Sequence, residues 1–330
     1  MKLSTLKFLF KRLWYEIYMF FYTIVDYPLA YFYRLFPYRY FIRGLAYGYG
    51  EAKGERRILC LFAHYHRASL ILEDVVYYLK HLHGQGCEII FLSNSKRLIN
   101  SELEKIKPYV SLIIHRRGRG VDFGSWYVGW KYVKEHLNLG DYELLLLVND
   151  SVYGPIFSLD KLFKFIQESN YDVVGVTSSL EVKYHLQSYF LAFKRNVFNS
   201  SYFHKFWKRY RFFQKKRAVV EKYEIGLSQY LLKVGYRVGA YCEYIDLLRF
   251  VTKRHHSYQH TLYHPVNPTH HLWDLLIEKM ECPFLKKELI LINPSRIPNV
   301  NQWPTIISKY NSLLKDIILE HIKYARLRER

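Results

Sequence analysis

The sequence predicts an α/β fold with a mostly parallel β-sheet flanked by helices, and three observations support this class. Short apolar runs of strand length alternate with helical patterns, as in parallel sheets with crossover helices. The run 144–148 is followed directly by Asn149, Asp150 and Ser151, and a Gly-Pro turn comes next. Finally, a chain of 330 residues, half of them hydrophobic, can bury a large core.

The order of these patterns defines the predicted elements. The predicted strands are Arg57–Ala63, Cys87–Ser93, Val110–His115, Glu143–Val148, Asp172–Val176, Ser188–Phe193 and Arg237–Cys242. The predicted helices are Ser69–Leu82, Leu103–Lys107, Gly124–Glu135, Leu159–Glu168, Tyr202–Phe213 and Ile225–Val234, with a final basic helix from about Thr305. Three regions result: an amphipathic arm and linker over 1–53, a core over 54–250 and a C-terminal helical extension over 251–330.

The composition favours an anionic partner. The net charge is +20, which suits nucleic acid, anionic lipid or a phosphorylated substrate. The four cysteines lack metal-ligand spacing, so we expect buried thiols in a reducing cytosol. We find neither a run of about twenty uncharged apolar residues nor the layout of a signal peptide.

The first fifty residues interleave aromatic side chains with seven Lys and Arg, opposed only by Glu16 and Asp26. This mixture is typical of a helix lying in the headgroup zone of an anionic membrane. A helical arm packed on the main domain is the alternative. The segment Gly48–Gly54 is predicted to be the linker that follows.

Polar residues at strand ends are the first candidates for a site. Asp150 follows a buried strand at the sheet edge where α/β proteins bind ligands, although an Asx turn explains it equally. The loop from Arg116 to Trp126 offers arginines, glycines and a helix N-terminus, which together suit phosphate. There Asp122 is either a ligand or an N-cap. The chain has no P-loop, dinucleotide fingerprint, H-E-x-x-H or G-x-S-x-G motif.

Two later segments carry possible acid–base groups. His185-Leu-Gln-Ser-Tyr-Phe190 places polar side chains beside an apolar strand, and a structural histidine is the alternative there. Tyr223-Glu-Ile-Gly-Leu-Ser228 places Glu224 at a helix entry, where an acid also suits the helix dipole without any function.

Taken in order, these motifs resemble a known family. The layout is similar to a GT-A (Rossmann-like) glycosyltransferase. The segments Val121–Trp126, Asn149–Pro155, His185–Phe190, Tyr223–Ser228, Asn267–Trp273 and Pro283–Leu289 resemble the rhamnan synthesis protein F family over about 57–295. The resemblance implies a polysaccharide glycosyltransferase, typically a rhamnosyltransferase of cell-wall rhamnan or of O-antigen (lipopolysaccharide) assembly.

This resemblance implies roles for individual residues. We expect inverting transfer from a nucleotide-sugar, such as dTDP-L-rhamnose, to a lipid-linked glycan on the inner, cytoplasmic face of the membrane, where the enzyme is peripheral. Glu224 or His185 is the expected base, and Asp150 positions the donor. The expected donor-binding residues are His64, Arg117, Arg119, Asp122, Asn149, Asp150 and Ser151. The expected acceptor-binding residues are His185, Gln187, Ser188 and Tyr189.

The cofactor prediction rests on one triplet. GT-A enzymes usually hold a divalent metal, Mg or Mn, with Asp-x-Asp, whereas this chain has Asn149-Asp150-Ser151 with a single carboxylate. If a metal binds, Asp150 is its expected ligand, and we expect weak or absent metal dependence. The rival function is a non-catalytic glycan- or nucleic-acid-binding protein, because interleaved basic and aromatic residues also suit single-stranded nucleic acid. If the protein is a glycosyltransferase, we expect no nucleic-acid partner.

Overall fold

The computed structural model describes residues 24–50, 57–251 and 264–327. Within these ranges the fold is built around one nine-stranded sheet. The strands in chain order are β1 (Ile42–Tyr47), β2 (Arg57–His64), β3 (Cys87–Ser93), β4 (Leu112–Arg116), β5 (Tyr142–Asn149), β6 (Val152–Tyr153), β7 (Val173–Ser179), β8 (His185–Leu186), β9 (Phe190–Lys194), β10 (Val238–Cys242) and β11 (Leu285–Lys286). Of these, β6 and β11 form a separate antiparallel pair.

The described helices pack on both faces of this sheet. They are α1 (24–33), α2 (Glu73–Gly84), α3 (Asn100–Ile106), α4 (Val121–His136), α5 (Asp160–Glu168), α6 (Arg195–Phe198), α7 (Ser201–Lys208), α8 (Lys216–Val219), α9 (Gly226–Lys233), α10 (Tyr244–Val251), α11 (Pro268–His271), α12 (Trp273–Met280), α13 (Lys287–Leu291), α14 (Trp303–Ser308) and α15 (Ser312–Leu327).

The sheet is mixed but mostly parallel, which confirms the predicted fold class. The strand order is β1-β4-β3-β2-β5-β9-β7-β10, with β8 beside β7. The neighbours β4, β3, β2 and β5 run parallel, as do β7 and β10. Strand β9 lies antiparallel between β5 and β7, and β1 lies antiparallel on the edge beside β4.

The central strands are continuous apolar runs because helices cover both faces of the sheet. Along β2, alternate residues face opposite sides: Cys60 packs in one hydrophobic cluster, whereas Leu59 and Leu61 pack in the other. Ala63 of β2 is level with Asn149 of β5. The polar residues after these two parallel strands therefore meet at one sheet edge.

The described part of the predicted arm packs on the core, which is the alternative considered above. Strand β1 pairs with β4. In α1, Asp26 is 2% exposed, pairs with Arg119 and accepts backbone hydrogen bonds from Gln214 and Lys215 at 3.2 Å. Residues 1–23 and 51–56, which hold the rest of the predicted arm and linker, lie outside the described residues.

Two predicted helices have different bounds for identifiable reasons. The helix predicted over Tyr202–Phe213 ends at Lys208, because Tyr210 turns inward and its hydroxyl donates to the Gly120 carbonyl at 3.1 Å. The helix predicted from Ile225 begins at Lys216 and passes through a π-helical turn, Val220–Ile225, before α9. Glu224 therefore lies inside a helical segment, not at its entry.

The C-terminal region from 264 onward packs on the core of the sheet, with Leu272, Leu275 and Phe284 in the same hydrophobic cluster as strand residues. Strand β11 pairs with β6, which follows β5 almost immediately. The final helical region is two helices, α14 and α15, and the Asn311 side chain accepts from the Leu314 backbone at 2.9 Å at their junction. All four cysteines are buried free thiols, as predicted. Among the described residues, no helix is long and apolar enough to cross a membrane.

Candidate active site

His64 and Asp150 lie side by side at the carboxyl ends of β2 and β5. The His64 Nε2 is 3.8 Å from an Asp150 carboxylate oxygen, and the Tyr65 backbone N–H donates to that oxygen at 3.3 Å. Burial lowers the pKa of His64 to about 3, helped by the charge of Lys287. Since a neutral imidazole makes no ion pair, His64 lies beside Asp150 without a salt bridge, and the Tyr65 N–H is the donor to that carboxylate. Burial raises the pKa of Asp150, and Lys287 opposes that rise.

A chain of hydrogen bonds extends from Asp122 to Lys286. Asn149 donates to the Asp122 carboxylate at 2.8 Å and accepts from the Ser151 hydroxyl at 2.6 Å. The Lys286 Nζ donates to the same hydroxyl at 3.0 Å. Burial and the neighbouring Asp150 raise the pKa of Asp122 to about 7. Asp122 is therefore an acid whose charge state changes near neutrality.

The loop before α4 holds Asp122 in place. Arg116 is fully buried, and its guanidinium donates to the Ser125 hydroxyl at 2.8 Å and to the carbonyls of Arg119 and Val121 at 3.0 and 2.7 Å. Val121 has a φ of 49°, a left-handed conformation that strains a β-branched residue. Val121 directly precedes Asp122, and both residues line one cavity at the carboxyl end of the parallel strands.

Glu224 and His185 form a second polar pair. One Glu224 carboxylate oxygen accepts from the Ser188 backbone N–H at 2.9 Å and from the Ser188 hydroxyl. The other lies 3.8 Å from His185 Nε2. The His185 Nδ1 is 2.8 Å from the Lys183 carbonyl. Because a carbonyl only accepts, Nδ1 carries a proton, and in the neutral ring Nε2 keeps its lone pair toward Glu224.

The remaining predicted acceptor-binding residues differ in position. Gln187 lines the cavity, and its amide donates to Asn267 at 3.1 Å and to Thr269 at 3.2 Å. Tyr189 is 1% exposed, and its ring lies 4.9 Å beneath the Lys286 ammonium. Tyr189 therefore supports Lys286 from below and does not face the cavity.

The hydrogen-bonded chain from Asp122 to Lys286 and the pair formed by Glu224 and His185 line one cavity of about 490 Å³. Asp122 and Asn149 line it, and so do His185, Ser188 and Glu224. The cavity lies at the carboxyl end of the parallel strands, as expected for ligand sites in α/β sheets.

Arg117 and Arg119 are not among the residues that line this cavity. Arg117 donates to the Tyr40 carbonyl at 2.8 Å, and its guanidinium stacks 4.3 Å from the Tyr40 ring. Arg119 pairs with the buried Asp26 of α1. The geometry thus ties both arginines to the N-terminal segment, and their predicted contact with the donor gains no support from it.

The site also contains residues that sequence reasoning did not assign, and most come from the C-terminal region. Lys286 and His270 line the cavity, as do Lys216 and Glu288, which form an ion pair at 2.7 Å. The available signal was the motif Pro283–Leu289, which carries two consecutive lysines. Its relevance depended on the β11–β6 pairing, which brings that motif beside Ser151.

The described residues do not form a complete protein cage for Mg or Mn. Asp122 is hydrogen-bonded to Asn149, and the Lys286 ammonium lies in the same cavity. Across residues 24–50, 57–251 and 264–327, no group of three or more His, Cys, Asp or Glu side chains is arranged to hold a metal ion. Mg²⁺ is commonly held by one or two carboxylates together with substrate phosphates, so Asp150 stays the residue that would hold a metal if one binds.

Comparison with known families matches residues 89–327 to the family of rhamnan synthesis protein F. The chain belongs to the rhamnan synthesis protein F family. This confirms the resemblance drawn from the motifs, and membership supports a glycosyltransferase. All the cavity residues described above lie within the matched range.

Two relatives illustrate the spread of similar proteins. The chain is 30% identical over 258 residues to the virulence protein VirA of Vibrio anguillarum, covering 71% of this chain and 80% of the relative. It is 30% identical over 183 residues to the uncharacterized protein y4gN of Sinorhizobium fredii, covering 54% of this chain. The match spans 47% of that relative, about half of its length.

Solved structures similar to this fold include glycosyltransferases. The glycosyltransferase GlyE of Streptococcus pneumoniae matches with a TM-score of 0.43 and 12% identity, over 83% of this chain and 64% of that one. The mannosyltransferase PcManGT of Pyrobaculum calidifontis, solved with GDP-mannose and Mn²⁺, matches with a TM-score of 0.33 and 12% identity, over 92% and 90%.

Proposed function

We propose that the protein is an inverting glycosyltransferase that uses the cavity between Asp122 and Glu224. One observation carries this proposal: an anchored carboxylate, a histidine 3.8 Å from it and a lysine ammonium line the same cavity. A base for the acceptor and a cation for the leaving diphosphate are the two groups that such a reaction needs.

The proposed base is the pair formed by His185 and Glu224. Because Nδ1 of His185 is engaged by a carbonyl, its Nε2 is free to take the proton of an acceptor hydroxyl. Glu224, 3.8 Å away, then stabilises the imidazolium that forms. The acceptor oxygen forms its bond to the anomeric carbon as the bond to the diphosphate oxygen breaks. The electron pair of the broken bond leaves with the nucleoside diphosphate.

The proposed cation is Lys286. Its ammonium is held by Ser151 and lies over the Tyr189 ring. Burial lowers the pKa of Lys286, while Glu224 and Asp122 raise it. A positive charge in a partly desolvated cavity stabilises the charge that develops on the diphosphate. Lys286 therefore supplies the cation for the donor diphosphate, whereas the sequence had pointed to Arg117 and Arg119 as the donor-binding arginines.

Asp150 and Asn149 are proposed to position the donor, with His64 behind Asp150. The proposed donor is dTDP-L-rhamnose, and the proposed acceptor is a lipid-linked glycan in cell-wall or O-antigen synthesis. Both follow from the family and not from the cavity. The protein is proposed to act at the inner face of the membrane as a peripheral protein. A non-catalytic glycan- or nucleic-acid-binding protein is the rival.

The test is release of nucleoside diphosphate from a panel of sugar-nucleotides, with and without a lipid-linked acceptor. We expect release from one donor, preferably dTDP-L-rhamnose, and little loss in chelator. Lys286→Met should lower turnover on the order of 10²-fold or more, whereas Lys279→Met, an exposed lysine outside the cavity, should not. A thermal shift by single-stranded RNA with no response to any sugar-nucleotide would favour the rival.

A further inference from the structure

A second cavity, of about 780 Å³, lies beside the C-terminal half of α4, and the charged side chains that line it are all basic. It is formed where the turn after α1 meets the later part of α4 and the helix α7. The charged residues that line it are Arg34, Lys131, Lys134, Lys205, Lys208 and Arg209. Among the residues that the structure describes, none of the six has a carboxylate within 4.0 Å.

The inner wall of this cavity is aromatic and contains unpaired ring nitrogens. Trp207 is 1% exposed, and its Nε1 has no hydrogen-bond partner within the described part of the chain. The buried His204 Nδ1 also has none there. Both side chains line the cavity. The Trp207 N–H is thus a donor on this wall that no described protein group satisfies.

The electrostatics favour an anion of phosphate type. Burial lowers the pKa of His204, and the charges of Lys134 and Lys131 lower it further. Cations gathered without acids repel one another, and a bound anion removes that repulsion. The guanidinium group of arginine and the ammonium group of lysine are the usual partners of phosphate in proteins.

The surface beside the cavity is apolar, which selects a lipid as the source of that phosphate. In and after α1, Val25, Phe32 and Leu35 are 58%, 51% and 78% exposed. Arg34 lies between two of these and donates to the Lys208 carbonyl at 3.3 Å across the cavity rim. Exposed apolar and aromatic side chains beside basic residues are typical of a surface that docks on an anionic membrane.

We propose that this cavity binds the phosphate of an anionic lipid headgroup and docks the protein on the membrane. The inference rests on the proposed function, because it supplies the site at which a peripheral glycosyltransferase would meet its lipid-linked acceptor. The helix α4 links the two sites. Asp122 and Lys131 are roughly 14 Å apart along it, at 1.5 Å per residue.

The test uses the full chain and compares two sets of three substitutions with equal loss of charge. The cavity set is Lys134→Gln, Lys205→Gln and Lys208→Gln. The control set is Lys80→Gln, Lys233→Gln and Lys279→Gln, all exposed and outside the cavity. Flotation is measured with phosphatidylcholine vesicles that either contain or lack phosphatidylglycerol, and melting temperature checks the fold.

The cavity set should weaken binding to phosphatidylglycerol vesicles by roughly tenfold to hundredfold, while the control set should change it little. Equal losses in both sets, or no loss in either, would overturn the proposal. Two further measurements on the cavity set are thermal stabilisation by inorganic phosphate and binding of single-stranded RNA. If the cavity set loses either of these but still floats with phosphatidylglycerol vesicles like wild type, the proposal is also overturned. Donor hydrolysis in solution reports the proposed function separately, because flotation does not depend on turnover.

Discussion

Glu224 and Asp122 are two acids of one cavity in different environments, and this difference suits them to different roles. Glu224 is anchored by two hydrogen bonds from Ser188 and faces a histidine. Asp122 is held by Asn149 in a site where burial and Asp150 raise its pKa to about 7. The role of each acid depends on the hydrogen bonds and charges of its neighbours in space, and these neighbours cannot be identified from the sequence.

We expect Glu224→Gln to lower kcat by about 10²-fold or more, because the His185 imidazolium loses the carboxylate that stabilises it and the proton transfer becomes less favourable. The glutamine oxygen can still accept from the Ser188 N–H, so the fold and the donor affinity should be kept. A turnover assay measures kcat, and calorimetric titration with the donor measures its affinity. Glu221→Gln, which alters an exposed pair with Arg217 one turn earlier, is the control and should change neither quantity.

His185→Gln run in parallel tests whether the pair acts as a unit. A double variant no worse than the worse single variant is then expected, because residues that act together are not additive. If donor binding is lost in Glu224→Gln while kcat is kept, Glu224 is a donor ligand and the base assignment is wrong.

Asp122→Asn should change how stability depends on pH. The folded pKa of about 7 lies above the ordinary value of 3.8, so the protonated acid is favoured by folding. That contribution is fully present below pH 3.8 and is lost as the pH rises through about 7. Relative to wild type, the variant should gain melting temperature between these limits and reach a plateau above them.

Melting temperatures over this pH range check the prediction. Asp160→Asn is the control, since hydrogen bonds from Ser158 and Gln85 lower the pKa of that exposed acid, and it should show no such rising gain. A pH-independent difference between wild type and Asp122→Asn would mean that folding does not raise the pKa of Asp122.

At the scale of elements, the π-helical turn Val220–Ile225 and the pair β6–β11 complete the site. The turn contains Glu224 and precedes α9, and π-turns are frequent at functional sites. The pair places Lys286 beside Ser151 and Lys287 beside Asp74 of α2. Two neighbouring lysines therefore serve two different acidic environments.

The local elements were predictable because they depend on local patterns. Strand β3 has the predicted bounds Cys87–Ser93, and Asn149 and Asp150 end a buried strand as expected. The role of Lys286 was not predictable, because it depends on a chain segment returning to pair with β6. Likewise, Arg119 carries phosphate-binding chemistry, but its buried partner Asp26 lies far away in the sequence.

Breaking the ion pair between Asp74 and Lys287 should destabilise the junction of α2 and α13. The Asp74 side chain is 1% exposed and that of Lys287 is 13% exposed. Removing one partner leaves a buried charge, so Asp74→Asn or Lys287→Met should cost about 3 kcal/mol of unfolding free energy. The double variant Asp74→Leu with Lys287→Met should lose less than the sum of the single losses.

Urea denaturation measures this cycle. The exposed pair Lys164–Glu168, at 4.0 Å, is the control, and its removal should cost less than about 1 kcal/mol. Single losses below that same limit at Asp74 and Lys287 would show that water already screens the pair.

At the scale of the whole molecule, the positive charge divides between two surfaces. One is the proposed active cavity, which is lined by Lys286 and Lys216 together with Glu224 and Glu288. The other is the second cavity beside α1, where the described cations lack acidic partners. The N-terminal segment lies beside the second surface and also pairs with the sheet, so it links docking with folding.

This double role changes what truncation should do. Removing residues 1–50 would delete β1 from its pairing with β4 and would leave Arg119 without Asp26. We expect that protein to melt much earlier than wild type or to aggregate. Removing residues 1–23 alone should keep the melting temperature of the core close to that of wild type, because α1 and β1 are retained. It should also weaken flotation with anionic vesicles, since four of the seven basic residues in the first fifty are lost and each contributes roughly 1 kcal/mol near such a surface. The binding that remains should be salt-sensitive and should disappear when Lys134, Lys205 and Lys208 are also replaced. A protein lacking residues 1–50 that is as stable as the full chain would instead show that the segment folds independently of the sheet.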